Sequence, residues 1–379
     1  MKDIGAASMS NRTAEPKQQE VTAAITNVVY IPATPGTQFG GELFDRTVVR
    51  LSASRYFPKR LVEICILMVE IIILNIPEWI LGEKGLPNVP PVEKRIASSI
   101  ASSKVVIADA VSKGERRKVA VITGDRATEA GIQAVKSIKA KTGNMNVEFL
   151  YLDLGSLKDV QAFVQNVSKR TSAVDLLINN AGVMDLPNFR PTAEGHDSQF
   201  GINHLGHYFL TYLLLPLVKK APKARIVMLT SSAHYGATEI NYRGITSAKY
   251  YDRIHNYCSS KLATVLFVRH LARSLAKTHP NITVNCLHPG VCYTGLFNYS
   301  WTLYIITRLG FKYLLRTPTR GARTVLYLAL SEEVEGISGE FWFDERIRQR
   351  NPVANDLNLQ KELMRYSNKA VGFMEDQDL

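Results

Sequence analysis

At 379 residues the chain is long enough for one large domain or two smaller ones. Its 46% hydrophobic and 21% charged content excludes a collagen-like or wholly disordered polymer. A net charge of +12 suits an acidic partner such as a phosphorylated cofactor or an anionic membrane face. No arginine-rich block, zinc-finger spacing or RNA-binding aromatic motif accompanies it, so nucleic acid is not expected as a partner.

The four cysteines, Cys65, Cys258, Cys286 and Cys292, show no C-x-x-C spacing. That argues against a disulfide framework and fits a reducing compartment. The first twenty residues are polar and carry Lys2, Arg12 and Lys17 with no apolar run behind them, so no cleavable signal is expected. Residues 1–60 read as a polar, partly disordered extension. Residues 61–82 hold an apolar stretch of bilayer-spanning length, flanked by Arg55, Lys59 and Arg60, with Trp79 near its end. Glu63 and Glu70 share one face of such a helix and are costly in hydrocarbon. The stretch is therefore read as membrane-associated, spanning or lying in the interface, with a buried amphipathic helix as the alternative.

Residues 83–117 read as a linker, rich in proline from Gly85 to Pro91, followed by a short Ser/Ala-rich helix. From Lys118 the pattern becomes regular. Val119–Ile122 is a buried-strand run ending at Thr123-Gly124, and Thr128 to Lys141 is a helix with Ile132, Val135 and Ile138 on one stripe. Val147–Leu152 reads as a strand ending at Asp153. Leu157–Lys169 is an amphipathic helix on Val160, Phe163, Val164 and Val167. Leu176–Ile178, Arg225–Thr230, Ile282–Leu287 and Phe341–Phe343 are further strands, with helices expected over Gly201–Val218 and Tyr257–Lys277. Such alternation predicts an α/β fold, a doubly wound Rossmann-like parallel sheet with helices on both faces. Ligands bind at the carboxyl ends of the strands in such sheets, and each motif below lies at one.

Tyr257 and Lys261 are four apart, so both side chains share one helical face. A nearby ammonium favours a phenolate over a phenol whose free pKa is about 10, which suits proton exchange with an alcohol or carbonyl oxygen. It is the only Y-x-x-x-K spacing among the sixteen tyrosines.

In family order come Asn179-Asn180-Ala181-Gly182, Asn203-His204-Leu205-Gly206-His207, Ser231-Ser232, Tyr257-x-x-x-Lys261, and Pro289-Gly290 with Thr294. Together these resemble the short-chain dehydrogenase/reductase family over roughly Lys118 to Asp344. The 25-residue gap from Ser232 to Tyr257 is similar to that of its retinol-dehydrogenase-like branch. The resemblance implies an oxidoreductase that interconverts a lipophilic alcohol, of retinoid or polyisoprenoid type, and its carbonyl. NADP(H) or NAD(H) is the implied cofactor, and no metal.

It further implies Tyr257 as general acid/base and Lys261 as the group that lowers the Tyr257 pKa and holds the nicotinamide ribose. Ser232 would hold the substrate oxygen, with Ser231 as its rival, and Asn203 would complete a water-borne proton relay. Thr123, Gly124, Arg126, Asp153, Leu154, Asn180, Ala181, Gly182, Pro289, Gly290 and Thr294 would line the cofactor. The implied setting is an endoplasmic reticulum or lipid-droplet membrane with the catalytic domain, residues 118–345, facing the cytosol. Residues 346–379 would form a tail, and a homodimer is left open.

The pattern breaks after the first strand. The family's turn there carries glycines that let backbone approach a pyrophosphate at a helix N-terminus. In this chain Thr128 and Ala130 stand where glycines belong, and Asp125 and Glu129 would repel phosphate. Only 29 residues separate Gly124 from Asp153, room for one helix and one strand where the family has two helices with a strand between. The economical reading is that the first crossover helix and second strand are missing, with a seam at Gly124-Asp125-Arg126; a divergent, shortened crossover is the alternative. Loss of the phosphate cradle would weaken dinucleotide binding and opens a second possibility, a catalytically impaired relative serving as an interaction or lipid-binding module. A soluble dehydrogenase with no membrane role is a third.

Overall fold

The computed structural model describes residues 118–124, 128–292 and 315–374. The apolar stretch at 61–82, the linker at 83–117, the Asp125-Arg126 half of the seam and Thr294 lie outside these residues.

Six strands form one sheet in simple chain order: β1 Ala120–Ile122, β2 Leu176–Asn179, β3 Ala224–Leu229, β4 Ile282–Leu287, β5 Phe341–Phe343 and β6 Arg346–Arg348. The first five run parallel and β6 returns antiparallel to β5. The helices are α1 Thr128–Thr142, α2 Leu157–Ser168, α3 His207–Val218, α4 Tyr242–Thr246, α5 Arg253–Thr278, α6 Pro318–Leu330 and α7 Leu357–Val371. This is the expected Rossmann-like α/β fold.

The strand residues alternate between two cores, as a pleat requires. Val121, Leu177, Ile226, Met228, Val284 and Cys286 face a large core with α2, α3, α5 and α7. Ala120, Leu176, Ile178, Val227, Leu287 and Trp342 face a smaller one closed by Leu328 and Ala329 of α6. Burial on both faces explains the near-continuous apolar runs of β2 and β4.

Local chemistry sets the helix ends. Ser156 caps α2 by accepting from the Asp159 N–H. Asp252 caps α5 by accepting from Ile254 and His255, so this helix opens one turn before Tyr257 rather than at it. Within residues 346–379, Asp356 starts α7 and Gly372, at φ +80°, ends it. Leu363 and Met364 of α7 lie in the large core.

The first crossover is the thinnest part of the described fold. Val147–Leu152 forms no hydrogen-bonded strand among the described residues, although Val147 is buried and Leu150 and Leu152 pack against the large core. Phe149 instead lies against α1 at Gly131, where a side chain would collide with its ring. The expected apolar stripe of α1 stays largely in solvent, with Ile132 41% and Ile138 43% exposed, and Ile122 at the end of β1 is 51% exposed. The physical reason is that, among the described residues, β1 pairs only with β2, so nothing described extends the sheet for α1 and Val147–Leu152 to cover.

Few buried contacts mean low local stability. Hydrogen exchange should therefore be markedly faster in α1 than in α5, whose face from Asn256 to Val268 is buried throughout. Equal protection in mass-spectrometric exchange would contradict this picture.

Candidate active site

Because β1 to β5 are parallel, their carboxyl ends share one edge of the sheet. Thr123 follows β1, Asn180-Ala181-Gly182 follows β2, Thr230-Ser231-Ser232 follows β3, and His288-Pro289-Gly290 follows β4. α5 is docked there by the Thr230 hydroxyl, which donates to the Lys261 carbonyl at 2.8 Å.

Lys261 is 6% exposed, and its Nζ donates to the Leu229 carbonyl at 3.3 Å. The amine lies 5.7 Å from the Tyr257 ring centre, so the i, i+4 pair is formed. A β-carbon on Gly182 would sit 3.5 Å from the same amine and 3.1 Å from Asn203 Oδ1, so the absence of a side chain at 182 leaves room beside both. Burial in a poorly solvating environment lowers the Lys261 pKa to about 8. Tyr257 is 9% exposed, and its carbonyl accepts from the Ser260 hydroxyl at 2.7 Å.

Asn203 lies in a π-helical turn, Gly201–Gly206, that leads into α3. Such turns loosen the regular ladder and recur at functional sites. Its amide clamps Val183, accepting from the N–H and donating to the carbonyl, both at 2.9 Å, and it also donates to Ser260 Oγ at 3.0 Å. The Asn203 side chain is thus committed to holding the turn after β2 and to α5. Any relay through Asn203 falls to its main-chain carbonyl.

The two serines also separate. Ser231 Oγ accepts from the Ala233 N–H at 3.2 Å and caps a short 3₁₀ turn, while Ser232 is buried within that turn, which packs on α5.

Thr123 is a hub. Its hydroxyl accepts from Asn180 N–H at 2.8 Å and Ala181 N–H at 3.0 Å, and it lies 2.9 Å from His207 Nε2. Asn180 Nδ2 donates back to the Thr123 carbonyl at 2.9 Å. Gly124 has open space around it. Asp153 accepts from the Gly155 N–H at 2.9 Å, and Leu154 is buried, its carbonyl so close to Gly206 that only a glycine fits. Leu154 is therefore part of the packing around the π turn. Gly290, at φ +84°, packs on the Arg316 guanidinium, which pairs with both carboxylate oxygens of Asp344 at 2.7 and 2.9 Å. The Arg316 N–H donates to the Val291 carbonyl at 2.9 Å, so the Pro289-Gly290 turn is pinned from beneath.

Sequence reasoning passed over Ser260, His207 and Arg316. His207 was visible inside the Asn203–His207 motif; for the other two no local pattern marks the role. Among the described residues no group of three or more His, Cys, Asp or Glu side chains could hold a metal. Nor is any described helix long and apolar enough to cross a membrane.

A family model described as short chain dehydrogenase matches residues 107–302. The chain belongs to this family of oxidoreductases. Human polyprenol dehydrogenase is 36% identical over 260 residues, covering 67% of this chain and 78% of the relative. Mouse retinol dehydrogenase 14 is 41% identical over 231 residues, 59% of this chain and 67% of its own. Among solved structures, one titled a putative uncharacterized protein from Mycobacterium paratuberculosis matches at a TM-score of 0.52 and 28% identity. It covers 69% of this chain and 85% of that one.

Burying Lys261 has a measurable cost. Its folded pKa of about 8 lies below the ordinary 10.5. Between those values the unfolded chain carries the extra proton, so this group makes stability rise with pH across that window. Lys261→Met should lose that rise and be the more stable protein near neutral pH, by up to about 3 kcal/mol. Urea melts of both proteins across the window check it, and parallel curves would refute it.

Proposed function

We propose that the chain is a nicotinamide-dependent oxidoreductase of lipophilic alcohols and their aldehydes or ketones. The observation that carries this reading is the buried Lys261 amine, held beside the Tyr257 ring and next to the empty side of Gly182. A bare structural helix would have no use for a desolvated ammonium at the carboxyl edge of a sheet. The names of the polyprenol and retinol dehydrogenase relatives support the substrate class. Wording shared with the X-chromosome-linked dehydrogenase/reductase, such as Val147–Tyr151 and Thr317–Ala322, supports placing the chain near that member of the branch. The apolar stretch at 61–82 supports a membrane location, endoplasmic reticulum or lipid droplet, with the catalytic domain in the cytosol.

The residues fit the two riboses and the nicotinamide of such a cofactor. Asn180, Ala181 and Gly182 would lie along the adenine ribose, Lys261 would bind the nicotinamide ribose, and Pro289, Gly290 and Thr294 would face the nicotinamide. When bound, the cofactor supplies a site that accepts or gives a hydride. Tyr257 Oη takes the substrate hydroxyl proton in oxidation and returns it in reduction. Ser232 Oγ hydrogen-bonds the substrate oxygen and orients it. The positive charge of Lys261 favours the phenolate form of Tyr257, and the Asn203 carbonyl offers a water the acceptor it needs to pass the proton outward. Tyr257→Phe should abolish turnover of a long-chain isoprenoid alcohol while leaving the thermal melt within a degree or two. Residual turnover at the parent rate would remove Tyr257 from this role.

The phosphate end fits poorly, and a second reading rests on it. Among the described residues, the edge position of β1, the exposed stripe of α1 and the absence of a strand over Val147–Leu152 are what a missing first crossover helix and second strand would leave behind. With them would go the glycines that let backbone reach a pyrophosphate. In that case the hydride-transfer residues persist while dinucleotide affinity falls, and the chain serves as an impaired relative, an interaction or lipid-binding module. Fluorescence titration with NADPH should give a dissociation constant far above micromolar; micromolar binding would overturn the missing-crossover reading.

A further inference from the structure

The catalytic roles above leave His207 without work, although it is 2% exposed and bonded on both ring nitrogens. Its tautomer follows from counting lone pairs. A threonine hydroxyl has one hydrogen and two acceptor positions. Thr123 Oγ1 already accepts two N–H groups, from Asn180 and Ala181, and main-chain amides can only donate. The single Thr123 hydroxyl hydrogen is therefore the one directed at His207 Nε2, 2.9 Å away, which must be bare. A neutral imidazole with bare Nε2 carries its proton on Nδ1, and Nδ1 lies 3.3 Å from the Asn203 carbonyl, an acceptor only. Donors and acceptors match in one direction: Asn180 and Ala181 N–H to Thr123 Oγ1, Thr123 O–H to His207 Nε2, His207 Nδ1–H to Asn203 O.

We infer that His207 is a positioning residue, a neutral Nδ1–H imidazole that ties the β2 turn proposed to line the cofactor to the carbonyl proposed to hold the relay water. The roles of those two ends rest on the function proposed above; the hydrogen-bond chain between them does not. A charged imidazole would have two N–H donors and would expel the Thr123 hydrogen from Nε2, turning the hydroxyl away and breaking its acceptance of the two amides. The surroundings prevent that. Burial together with the positive Lys261 nearby, partly offset by the Asn203 carbonyl, lowers the His207 pKa to about 4, and neighbouring His204, buried and lowered to about 3, adds no charge near neutrality. The ring consequently holds one proton arrangement throughout the range in which Tyr257 and Lys261 would work.

The test reads the apo protein, so it does not depend on cofactor binding. In long-range ¹H–¹⁵N spectra of histidine-labelled full chain, the His207 ring is assigned by the signals that vanish in His207→Gln. The expected signal is a non-protonated Nε2 and a protonated Nδ1, unchanged from about pH 8 to about pH 5. A protonated Nε2, or a titration near the ordinary histidine pKa of about 6.5, overturns the inference. In variants, His207→Phe should speed amide exchange at Asn180 and Ala181 about tenfold, and His207→Gln, which keeps an acceptor for Thr123, should restore most of it. Unchanged exchange in both variants also overturns it. Where His207→Phe fails to fold, the parent tautomer decides. A correct tautomer with no NADPH binding would sink the cofactor reading and leave the link standing.

Discussion

The arrangement depends on keeping one amine out of water. Lys261 lies two turns into α5 against the end of β3, and its Nζ has the Leu229 carbonyl as a partner inside the protein. Desolvating a cation costs free energy that must be recovered elsewhere. The surrounding core recovers it: α5 is buried along most of its length, and Thr230 fixes its register against β3. The same packing crowds glycine against charge, at Gly182 beside Lys261 and at Gly290 on Arg316. Stability is spent locally to hold reactive geometry, a common trade in enzyme sites.

Hydrogen bonding around this amine uses side chains to immobilise backbone. Asn203, Thr123, Thr230 and Asn180 each bond main-chain groups of another element. The groups that would meet substrate or cofactor sit between these clamps. The ends of β1, β2 and β3, the π turn and α5 are thereby fixed against one another by buried bonds whose loss would leave unpaired donors.

Much of this was legible in the residues. Leu176–Ile178 and Ile282–Leu287 read as buried strands because both their faces are covered, and α2 read clearly because its Val160, Phe163, Val167 stripe obeys the helical period. Tyr257 and Lys261 were legible because four residues is a helical neighbour distance. The β5–β6 hairpin was not, because its turn uses Asp344 and Glu345 at positive φ, 51° and 59°, where Asn or Gly would normally signal it. Asp344 is held there by Arg316, a partner 28 residues away that no local window sees. Val147–Leu152 has the composition of a strand, but a strand needs a neighbour and composition supplies none. The bonds of the Thr123 hydroxyl to Asn180 and His207 were not legible, because they follow from tertiary placement.

The position of β1 has a consequence for how the chain is built. Its partner β2 lies more than fifty residues downstream, with Ala120 opposite Leu176. During synthesis from the N-terminus, β1, α1 and Val147–Leu152 emerge before β2, the described strand that pairs with β1. β1 must wait until β2 has been made, and Ile122 and the α1 stripe stay largely in water even in the finished fold. Lengthening, shortening or recasting that early segment therefore disturbs the nascent chain more than the finished catalytic half. The fold is in this sense tolerant of editing at one end, and vulnerable there to chaperones and proteases before it is complete.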